Sequence, residues 1–410
     1  MKNILIVGSG IVGITTAIKF QKSGYSVTIV DKSEPGNACS FGNAGVLGTS
    51  TCTPLSMPGI ISDIPKLLFD DESALTIKAS YLARNLTWFS RFLAESKKRN
   101  VSKSAQAMRL LNGPSVILYK ALAKEAQCES LIKNNGYLHL YENSDVYHAS
   151  KFAWTLRSQN GVTFEDLSAP EIRDLLPSVS EKIRHGIYVE SDGHCINPKR
   201  LVDKLFEYFT SLGGKYLCTE AHLNKTSKSK LEVVSSHGVL NYDKLVICTG
   251  SSTKKLLENI GYSIPILPER GYHLSLKNPN VKPAMTIMSG DYKYVTTLME
   301  DGLRLAGIAE FGAEKSAESY EKVTNKYLRL VKRMFPAIEC DDASLWSGCR
   351  PSTPDSNPII DKLSNFENVF VNAGHGHTGL AGAPRSAEIL FDLVEGNPCE
   401  ATDMFNENRF

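Results

Sequence analysis

The sequence predicts an α/β protein that combines a doubly wound dinucleotide-binding domain with a mixed-sheet α+β domain. The chain opens with a short buried strand, a glycine-rich turn, a helix and a second strand within about thirty residues. Segments of the same kind return near 190–250 and at 368–395, whereas the blocks between them have other patterns. The length of 410 residues also exceeds the ~250–300 residues at which a single hydrophobic core stops growing. This interleaving predicts two discontinuous domains.

The composition excludes several classes of protein. Apolar residues make up 42% and charged residues 22%, which is ordinary for a soluble globular chain. A net charge of +2 without a dense basic cluster argues against a nucleic-acid partner. The nine cysteines include no CxxC pair, so we expect no metal site, no disulfide framework and a cytoplasmic location. No run approaches the ~20 apolar residues of a membrane span.

The opening unit carries a dinucleotide fingerprint. Gly8, Gly10 and Gly13 form GxGxxG directly after a strand and at the start of a helix. Gly8 permits a tight turn, Gly10 lets the backbone approach a pyrophosphate, and Gly13 allows close packing of helix and strand. Asp31 ends the second strand, where its carboxylate can accept hydrogen bonds from ribose hydroxyls. The alternative is a purely structural glycine turn.

Two features favour FAD over NAD as the dinucleotide. The fold begins at residue 4 and regains parts of its sheet from much later in the chain, which is the usual layout of flavoproteins. A buried strand at 243–248 ends in Thr249-Gly250, as beside FAD in many of those proteins. By itself this second segment is equally typical of a core strand.

The remaining blocks contain patterns of both kinds. They predict helices at 60–69, 75–95, 102–127 and 319–334. They predict strands at 136–141, 186–190 and 231–234. Apolar residues of 60–92, including Trp88, lie largely at helical spacing. Such a stripe usually packs inward. The alternative is an exposed surface for peripheral contact with the inner membrane, flanked by Arg84 and Arg91.

Three further segments carry a resemblance to a known family. They are 40–45, the Arg-Pro-x-Thr-Pro-Asp motif at 350–355, and the Gly-His-Gly-x-x-Gly motif at 374–379. Together with GxGxxG they resemble the D-amino acid oxidase/dehydrogenase superfamily of flavoenzymes and, within it, the bacterial D-amino acid dehydrogenases. The resemblance runs over essentially the whole chain and includes Pro268 to Gly271.

The resemblance implies a division of the chain into two domains. The FAD-binding domain is expected to be of the glutathione-reductase/D-amino acid oxidase type and to comprise 1–53, 190–262 and 345–410. The substrate domain is expected to comprise 54–189 and 263–344, and to carry a helical block at 54–135. The active site is expected between the two domains.

The resemblance also implies three catalytic candidates. Arg350 would hold the α-carboxylate of the substrate, for which a permanently charged, planar guanidinium is suited; the alternative is a surface ion pair. Tyr294 matches the place of an active-site tyrosine, with a half-buried core aromatic as the alternative. For His375, as for His377, a structural role is favoured, since a flavin oxidises a neutral amine without a general base.

The residues expected at FAD include the turns and loops described above. Amides of the 374–379 turn would face the edge of the flavin that becomes negative on reduction. Cys349 stands one position after the place where sarcosine-oxidase-like relatives tether FAD, which is Gly348 here, so we expect non-covalent FAD. The full set of expected cofactor-binding residues is Gly8, Gly10, Ile11, Val12, Gly13, Asp31, Lys32, Ser40, Gly42, Asn43, Ala44, Gly45, Gly250, Gly374, Gly376, Thr378, Gly379 and Leu380.

The function implied by the resemblance is oxidative deamination of a small D-amino acid to a 2-oxo acid and ammonia. A hydride would pass from Cα to flavin N5, and the electrons would go to a quinone or another acceptor. Three alternatives stay open. They are a D-proline or 4-hydroxy-D-proline dehydrogenase, an O2-using glycine/sarcosine-type amine oxidase, and a catalytically silent FAD-binding module.

Overall fold

The computed structural model describes residues 2–60, 73–312, 317–397 and 400–410. Its strands in chain order are β1 (Asn3–Val7), β2 (Ser26–Asp31), β3 (Val46–Leu47), β4 (Leu75–Ile77), β5 (Ile132–Lys133), β6 (Tyr137–Tyr141), β7 (Glu165–Ser168), β8 (His185–Val189), β9 (Gly193–Cys195), β10 (Lys215–Cys218), β11 (His222–Lys225), β12 (Leu231–Ser235), β13 (Gly238–Leu240), β14 (Lys244–Ile247), β15 (Leu267–Lys277), β16 (Thr286–Ser289), β17 (Tyr294–Met299), β18 (Gly302–Phe311), β19 (Asp342–Ser352), β20 (Ile359–Lys362) and β21 (Val369–Ala373).

The α-helices connect and cover these strands. In chain order they are α1 (Ile11–Lys22), α2 (Ala79–Arg84), α3 (Leu86–Glu95), α4 (Lys98–Asn112), α5 (Ser115–Glu125), α6 (Ser144–Ala149), α7 (Lys151–Gln159), α8 (Ala169–Leu175), α9 (Pro198–Ser211), α10 (Thr253–Glu258), α11 (Ala317–Met334), α12 (Gly379–Val394) and α13 (Glu400–Met404). Within the described residues, none of these helices is long and apolar enough to cross a membrane.

A six-stranded sheet confirms the predicted doubly wound domain. Its order is β10-β2-β1-β14-β21-β20, and every neighbouring pair is parallel except β20 and β21. The inner strands are mostly apolar and buried because both faces of the sheet are covered, as parallel sheets require. Helices α1, α9 and α12 pack on one face, with Ile14 and Ile389 in the shared core.

A nine-stranded mixed sheet forms the second part of the fold. Its order is β19-β15-β18-β17-β16-β6-β8-β7, and β4 pairs with β18. Helix α11 covers one face of it, where Tyr327 and Val331 pack against Leu274 and Leu305. The opposite face of the nine-stranded sheet is directed toward the six-stranded sheet. Mixed α/β architecture with two principal sheets therefore agrees with the predicted fold class.

Two contacts differ from the expected division of the chain. Helices α4 and α5, placed with the substrate domain by sequence, pack against α12 and share the core of the six-stranded sheet. Tyr119 is fully buried there, and its hydroxyl donates to the Leu380 carbonyl. Strand β19 also crosses the expected boundary at residue 345, because its residues pair along the full length of β15.

The predicted helix at 75–95 is wrong at its beginning and interrupted in the middle. Leu75 to Ile77 form a strand that pairs with the last residues of β18, and helical structure begins only at Ala79. The predicted helix at 102–127 is two helices, separated where Gly113 and Pro114 interrupt the pattern. The predicted helix at 60–69 lies, beyond Ile60, outside the described residues.

Candidate active site

A cavity of about 1140 Å³ lies between the two sheets. Most of the residues expected from the sequence line it: Gly8, Gly10, Ile11, Val12, Asp31, Lys32, Ser40, Gly42, Asn43, Ala44, Gly250, Arg350, Gly374, His375, Gly376, Thr378, Gly379 and Leu380. The nucleotide turn, the 40–44 loop and the start of α12 therefore surround one space. Their separate roles in that space stay predictions.

The opening turn is built by glycines with different tasks. Gly8 has φ +113°, and a Cβ there would overlap the carbonyl oxygen of Cys248, the residue after β14. Gly13 does not line the cavity; a Cβ on it would overlap the Gly8 carbonyl oxygen, so it brings α1 against the turn. At Gly10 the nearest protein atom to a Cβ would be 3.4 Å away. Protein packing alone thus does not demand a glycine at position 10, and the open side faces the cavity.

Asp31 is held in place at the end of β2. Its Oδ2 accepts hydrogen bonds from the Ser9 amide at 2.7 Å and the Ser9 hydroxyl at 2.9 Å, and its Oδ1 accepts one from the Ser33 amide at 3.0 Å. Lys32 beside it forms only a 3.7 Å ion pair with Glu220, and both of those side chains are more than half exposed. Asp31 is therefore the better-ordered polar group at this end of the cavity.

We expect Asp31→Ala to raise the dissociation constant for FAD about tenfold or more, because the nucleotide turn loses the carboxylate that orients Ser9 and faces the ribose position. Fluorescence titration of the apoprotein with FAD measures this change. Lys32→Ala is the matched control and should stay within about twofold, since an exposed ion pair contributes little. Equal FAD affinity of Asp31→Ala and wild type would contradict the assignment.

The loop at 40–45 is fixed by groups from both sheets. Ser40 Oγ accepts from the Ile11 amide at 3.0 Å, which ties the loop to the start of α1. Arg304 Nη1 donates to the Asn43 carbonyl at 2.8 Å, and the Gly42 carbonyl accepts from His273 at 3.0 Å. Burial lowers the pKa of His273 to about 3, so this histidine is neutral and its Nδ1 carries the proton in the contact.

Gly45 does not line the cavity. It has φ +76°, and its amide donates to Asn43 Oδ1 at 2.7 Å. A Cβ at Gly45 would overlap the Cys195 carbonyl oxygen. The glycine therefore lets the loop turn closely past β9, which is a structural task and differs from the expected contact with the cofactor.

The turn at 374–379 brings the start of α12 to the opposite end of the cavity. The Gly376 amide donates to the Pro351 carbonyl at 2.9 Å, so the turn lies against the end of β19. His375 is 3% exposed, and burial lowers its pKa to about 3, which keeps it neutral. Its Nε2 has no hydrogen-bond partner among the described residues. A charged acid–base role for His375 does not fit this environment.

Arg350 lies in a buried polar network that sequence reasoning did not foresee. Its Nη1 donates to Glu269 Oε1 at 3.0 Å, across the β15–β19 pair. The same oxygen contacts His377 Nε2 at 2.7 Å, and Oε2 accepts from the Ser352 hydroxyl at 2.7 Å. Glu269 is completely buried. Burial alone would raise its pKa, but His377, Arg350 and Ser352 lower that pKa to about 2, so Glu269 is a carboxylate.

Gly271 makes room for the Arg350 side chain. A Cβ at Gly271 would overlap the guanidinium, which lies directly over the strand at this position. Glu269 and Gly271 both belong to the Pro268 to Gly271 segment, which carried part of the family resemblance without an assigned task. Glu269 is the single acidic residue of its strand, and that was the available signal for it.

Tyr294 lies in the core and does not line the cavity. It is 1% exposed, packs in the core beneath α11, and its hydroxyl donates to the Leu330 carbonyl at 2.9 Å. The expectation of an active-site tyrosine at this position is therefore wrong in placement. On β17 its neighbour Val295 lines the cavity instead, because successive side chains of a strand point to opposite faces.

The apolar stripe at 60–92 packs mainly inward where the structure describes it. Trp88, Phe89 and Ile77 are buried in a cluster with Phe311, and the Trp88 indole donates to the Pro265 carbonyl at 3.0 Å. Leu86 is an exception at 60% exposure. Residues 61–72, which include much of the proposed membrane surface, lie outside the described part of the chain.

The residues present fit an FAD molecule. The cavity is lined by a glycine turn with an open side at Gly10 and by the first turn of α12. Amides at the starts of α1 and α12 offer positive potential to a pyrophosphate and to an electron-rich ring edge, respectively. The unpaired Nε2 of His375 is a buried polar atom at the same wall.

Comparisons with known proteins agree with this geometry. Over 407 residues the chain is 32% identical to a protein of Bradyrhizobium diazoefficiens named D-amino-acid oxidase, with 97% of this chain and 96% of that protein covered. It is 29% identical over 409 residues to a D-amino acid dehydrogenase of Rhizobium rhizogenes, with 97% of each covered. The solved structure of glycine oxidase from Geobacillus kaustophilus matches with a TM-score of 0.75, 19% identity and full coverage of both chains.

The family named FAD dependent oxidoreductase matches residues 3–393 of the chain. This match confirms the predicted family resemblance and the predicted FAD cofactor, and the mixed α/β fold is shared with the structural neighbours. The chain belongs to the FAD dependent oxidoreductase family and is an FAD-dependent oxidoreductase.

Proposed function

We propose that this enzyme oxidises small D-amino acids to 2-oxo acids and ammonia. The observation that carries the proposal is the position of Arg350, whose side chain lines the cavity and is 19% exposed. One of its nitrogens is held by Glu269, so the guanidinium is oriented before substrate arrives. A planar cation held in this way suits a carboxylate ligand. The full-length relatives named D-amino-acid oxidase and D-amino acid dehydrogenase support the substrate class.

Orientation of the substrate is the main contribution of the chain's own residues. Arg350 would fix the α-carboxylate, and the neutral His375 excludes water from the wall beside it without competing for a proton. The start of α12 would stabilise negative charge that develops on the cofactor. The chemistry that FAD would supply in this cavity is acceptance of a hydride from Cα. The imino acid released from the cavity then hydrolyses in water.

Anaerobic reduction of the oxidised holoenzyme tests the substrate class. We expect several D-amino acids to bleach the flavin absorption while their L-enantiomers leave it unchanged. Bleaching by D-proline or 4-hydroxy-D-proline alone would replace the proposal by the narrower dehydrogenase, and no bleaching by any amino acid would refute it. Acid precipitation of the same sample should release all of the flavin, because Gly348 occupies the place of a tethering cysteine.

The proposed electron acceptor is a quinone. We expect the reduced enzyme to pass electrons to a soluble quinone analogue at least about tenfold faster than to O2, as measured by stopped-flow reoxidation. The relative named D-amino-acid oxidase favours O2 as the second candidate. Stoichiometric peroxide formation in air together with slow quinone reduction would establish that oxidase activity. Together with the quinone we propose peripheral membrane contact. Vesicle flotation of the purified protein tests this contact, and a protein that does not float with the vesicles contradicts it.

A further inference from the structure

The cavity that Arg350 lines also includes a region that the proposed function does not use. This region, the distal arm, is lined by His139 and Tyr141 of β6, by Trp154 and Arg157 of α7, and by Thr53. It belongs to the same cavity as Arg350 and the 374–379 turn. Aromatic rings and one guanidinium dominate its walls, so it is both apolar and positively charged.

Arg157 is a cation that the Asp192 carboxylate attracts electrostatically but does not contact. Its Nη2 donates to Thr53 Oγ1 at 3.0 Å, its Nη1 donates weakly to the Ala153 carbonyl at 3.4 Å, and its guanidinium carbon lies 4.5 Å from the centre of the Trp154 ring. Among the described residues its buried Nε has no hydrogen-bond partner, and no aspartate or glutamate forms an ion pair with it. A guanidinium in this setting is better stabilised when a ligand brings a negative charge into direct contact with it.

The acidic residues nearest to the distal arm are engaged elsewhere. Asp192 is fully buried, and its carboxylate accepts from the Thr49 hydroxyl at 2.6 Å and from the Ser50 amide at 2.8 Å. Asp291 lines the cavity, but its oxygens accept from the amides of Glu142 and Asn143 at 2.8 and 3.0 Å. Neither carboxylate is therefore placed to neutralise Arg157 directly.

His139 gives an independent sign of an incomplete site. It is 8% exposed, lines the distal arm, and its Nε2 has no hydrogen-bond partner. Burial, and next the positive charges of Arg157 and Lys293, hold the pKa of His139 well below its ordinary value. The arm thus combines a permanent cation, a second nearby cation and a neutral, incompletely paired imidazole. This combination is suited to an anionic ligand group.

We propose that the distal arm is a carboxylate subsite that receives the side-chain carboxylate of an acidic D-amino acid while Arg350 holds the α-carboxylate. The inference rests on the proposed function for the substrate class and adds the side chain. Two guanidiniums that line one cavity would hold the two ends of a dicarboxylate. A neutral side chain of the same length leaves Arg157 without an anion.

Binding of unreactive ligands tests the subsite without any turnover. Oxidised holoenzyme is titrated with glutarate and with butyrate, which lacks the second carboxylate, and binding is followed by the flavin absorption change and by the shift in Tm. We expect glutarate to bind about 10- to 150-fold more tightly, as a charge-assisted hydrogen bond predicts. In Arg157→Gln the two ligands should bind within about threefold of each other, whereas Arg157→Lys should keep part of the preference.

Turnover gives the matching kinetic test. For the wild type we expect kcat/KM to be at least about tenfold higher for D-glutamate than for D-glutamine, and this ratio to fall toward one in Arg157→Gln. Arg99→Gln removes an exposed arginine and is the control, for which the ratio should not change. FAD content and circular dichroism report whether each variant is folded.

The outcomes separate the subsite from the proposed function. Equal binding of glutarate and butyrate by the wild type, or a glutarate preference that survives in Arg157→Gln, overturns the subsite. Flavin bleaching by D-alanine with no glutarate preference leaves the proposed function intact and removes the subsite. A glutarate preference lost in Arg157→Gln, without bleaching by any amino acid, keeps the subsite and removes the proposed function.

Discussion

Glu269→Ala is expected to lower the free energy of unfolding by about 3 kcal/mol and to raise the KM for the amino acid. Glu269 is completely buried and is the shared partner of Arg350, His377 and Ser352. Its removal leaves a partly buried guanidinium uncompensated, and breaking a buried ion pair from one side destabilises proteins by about 3–5 kcal/mol. The expected loss of stability lies at the low end of this range because Arg350 is 19% exposed. Urea unfolding of the holoenzyme measures the change.

The pH dependence of this difference gives a second measurement. The pKa of Glu269 is about 2 in the folded protein, below the ordinary value of 4.5. A lowered pKa of an acid stabilises the fold fully above the ordinary value, and the contribution is lost as pH falls toward the folded value. The stability difference between wild type and Glu269→Ala should therefore shrink as pH falls from about 5 toward 2. Ser352→Ala, which removes one neutral donor, is the control at about 1 kcal/mol.

Arg350→Lys is expected to lower kcat/KM for the amino acid about 10- to 150-fold, mainly through KM. Lysine keeps the charge but replaces the planar fork by a point charge, so one of two parallel contacts with the substrate carboxylate is lost. A charge-assisted hydrogen bond is worth about 1.5–3 kcal/mol, which corresponds to this range. Initial rates with a saturable artificial acceptor, measured over a wide range of D-alanine concentrations, separate KM from kcat.

Arg385→Lys is the matched control for Arg350→Lys. Arg385 forms an ion pair with Glu388 on α12, and both side chains are about one-third exposed. Its replacement should leave kcat/KM within about twofold, since surface ion pairs contribute little. If Arg350→Lys behaves like this control, with KM and kcat near wild type, Arg350 does not hold the substrate carboxylate.

Features that are local in the sequence were predictable. The turn at 8–13, the strand that ends at Asp31 and the turn at 374–379 are each specified by neighbouring residues, because glycine positions and apolar runs determine a strand, a turn and a helix start within a few residues. Gly8 illustrates the point: its close approach to β14 and its φ of +113° both follow from the motif. Residues of these three local units line the same cavity, as the sequence predicts.

Features that depend on pairing distant segments were not predictable. Glu269 and Arg350 meet because β15 and β19 pair in one particular register, across 81 residues of sequence. Whether Tyr294 or Val295 faces the cavity depends on the same kind of register, and a shift of one residue reverses the answer. Leu75 to Ile77 became a strand because β18 offers an edge to pair with, which no local pattern reveals.

The position of β1 in the middle of its sheet has a consequence for how the protein is made. β1 leaves the ribosome together with β2, but its other neighbour, β14, follows about 240 residues later, where Asp243 just before β14 accepts from the Asn3 amide. At about 5–20 residues per second the edge of β1 waits on the order of 10–50 s for β14. An unpaired apolar edge is a template for aggregation during that interval. Nascent chains that stop before β14 should therefore depend on chaperones more strongly than chains released after β21.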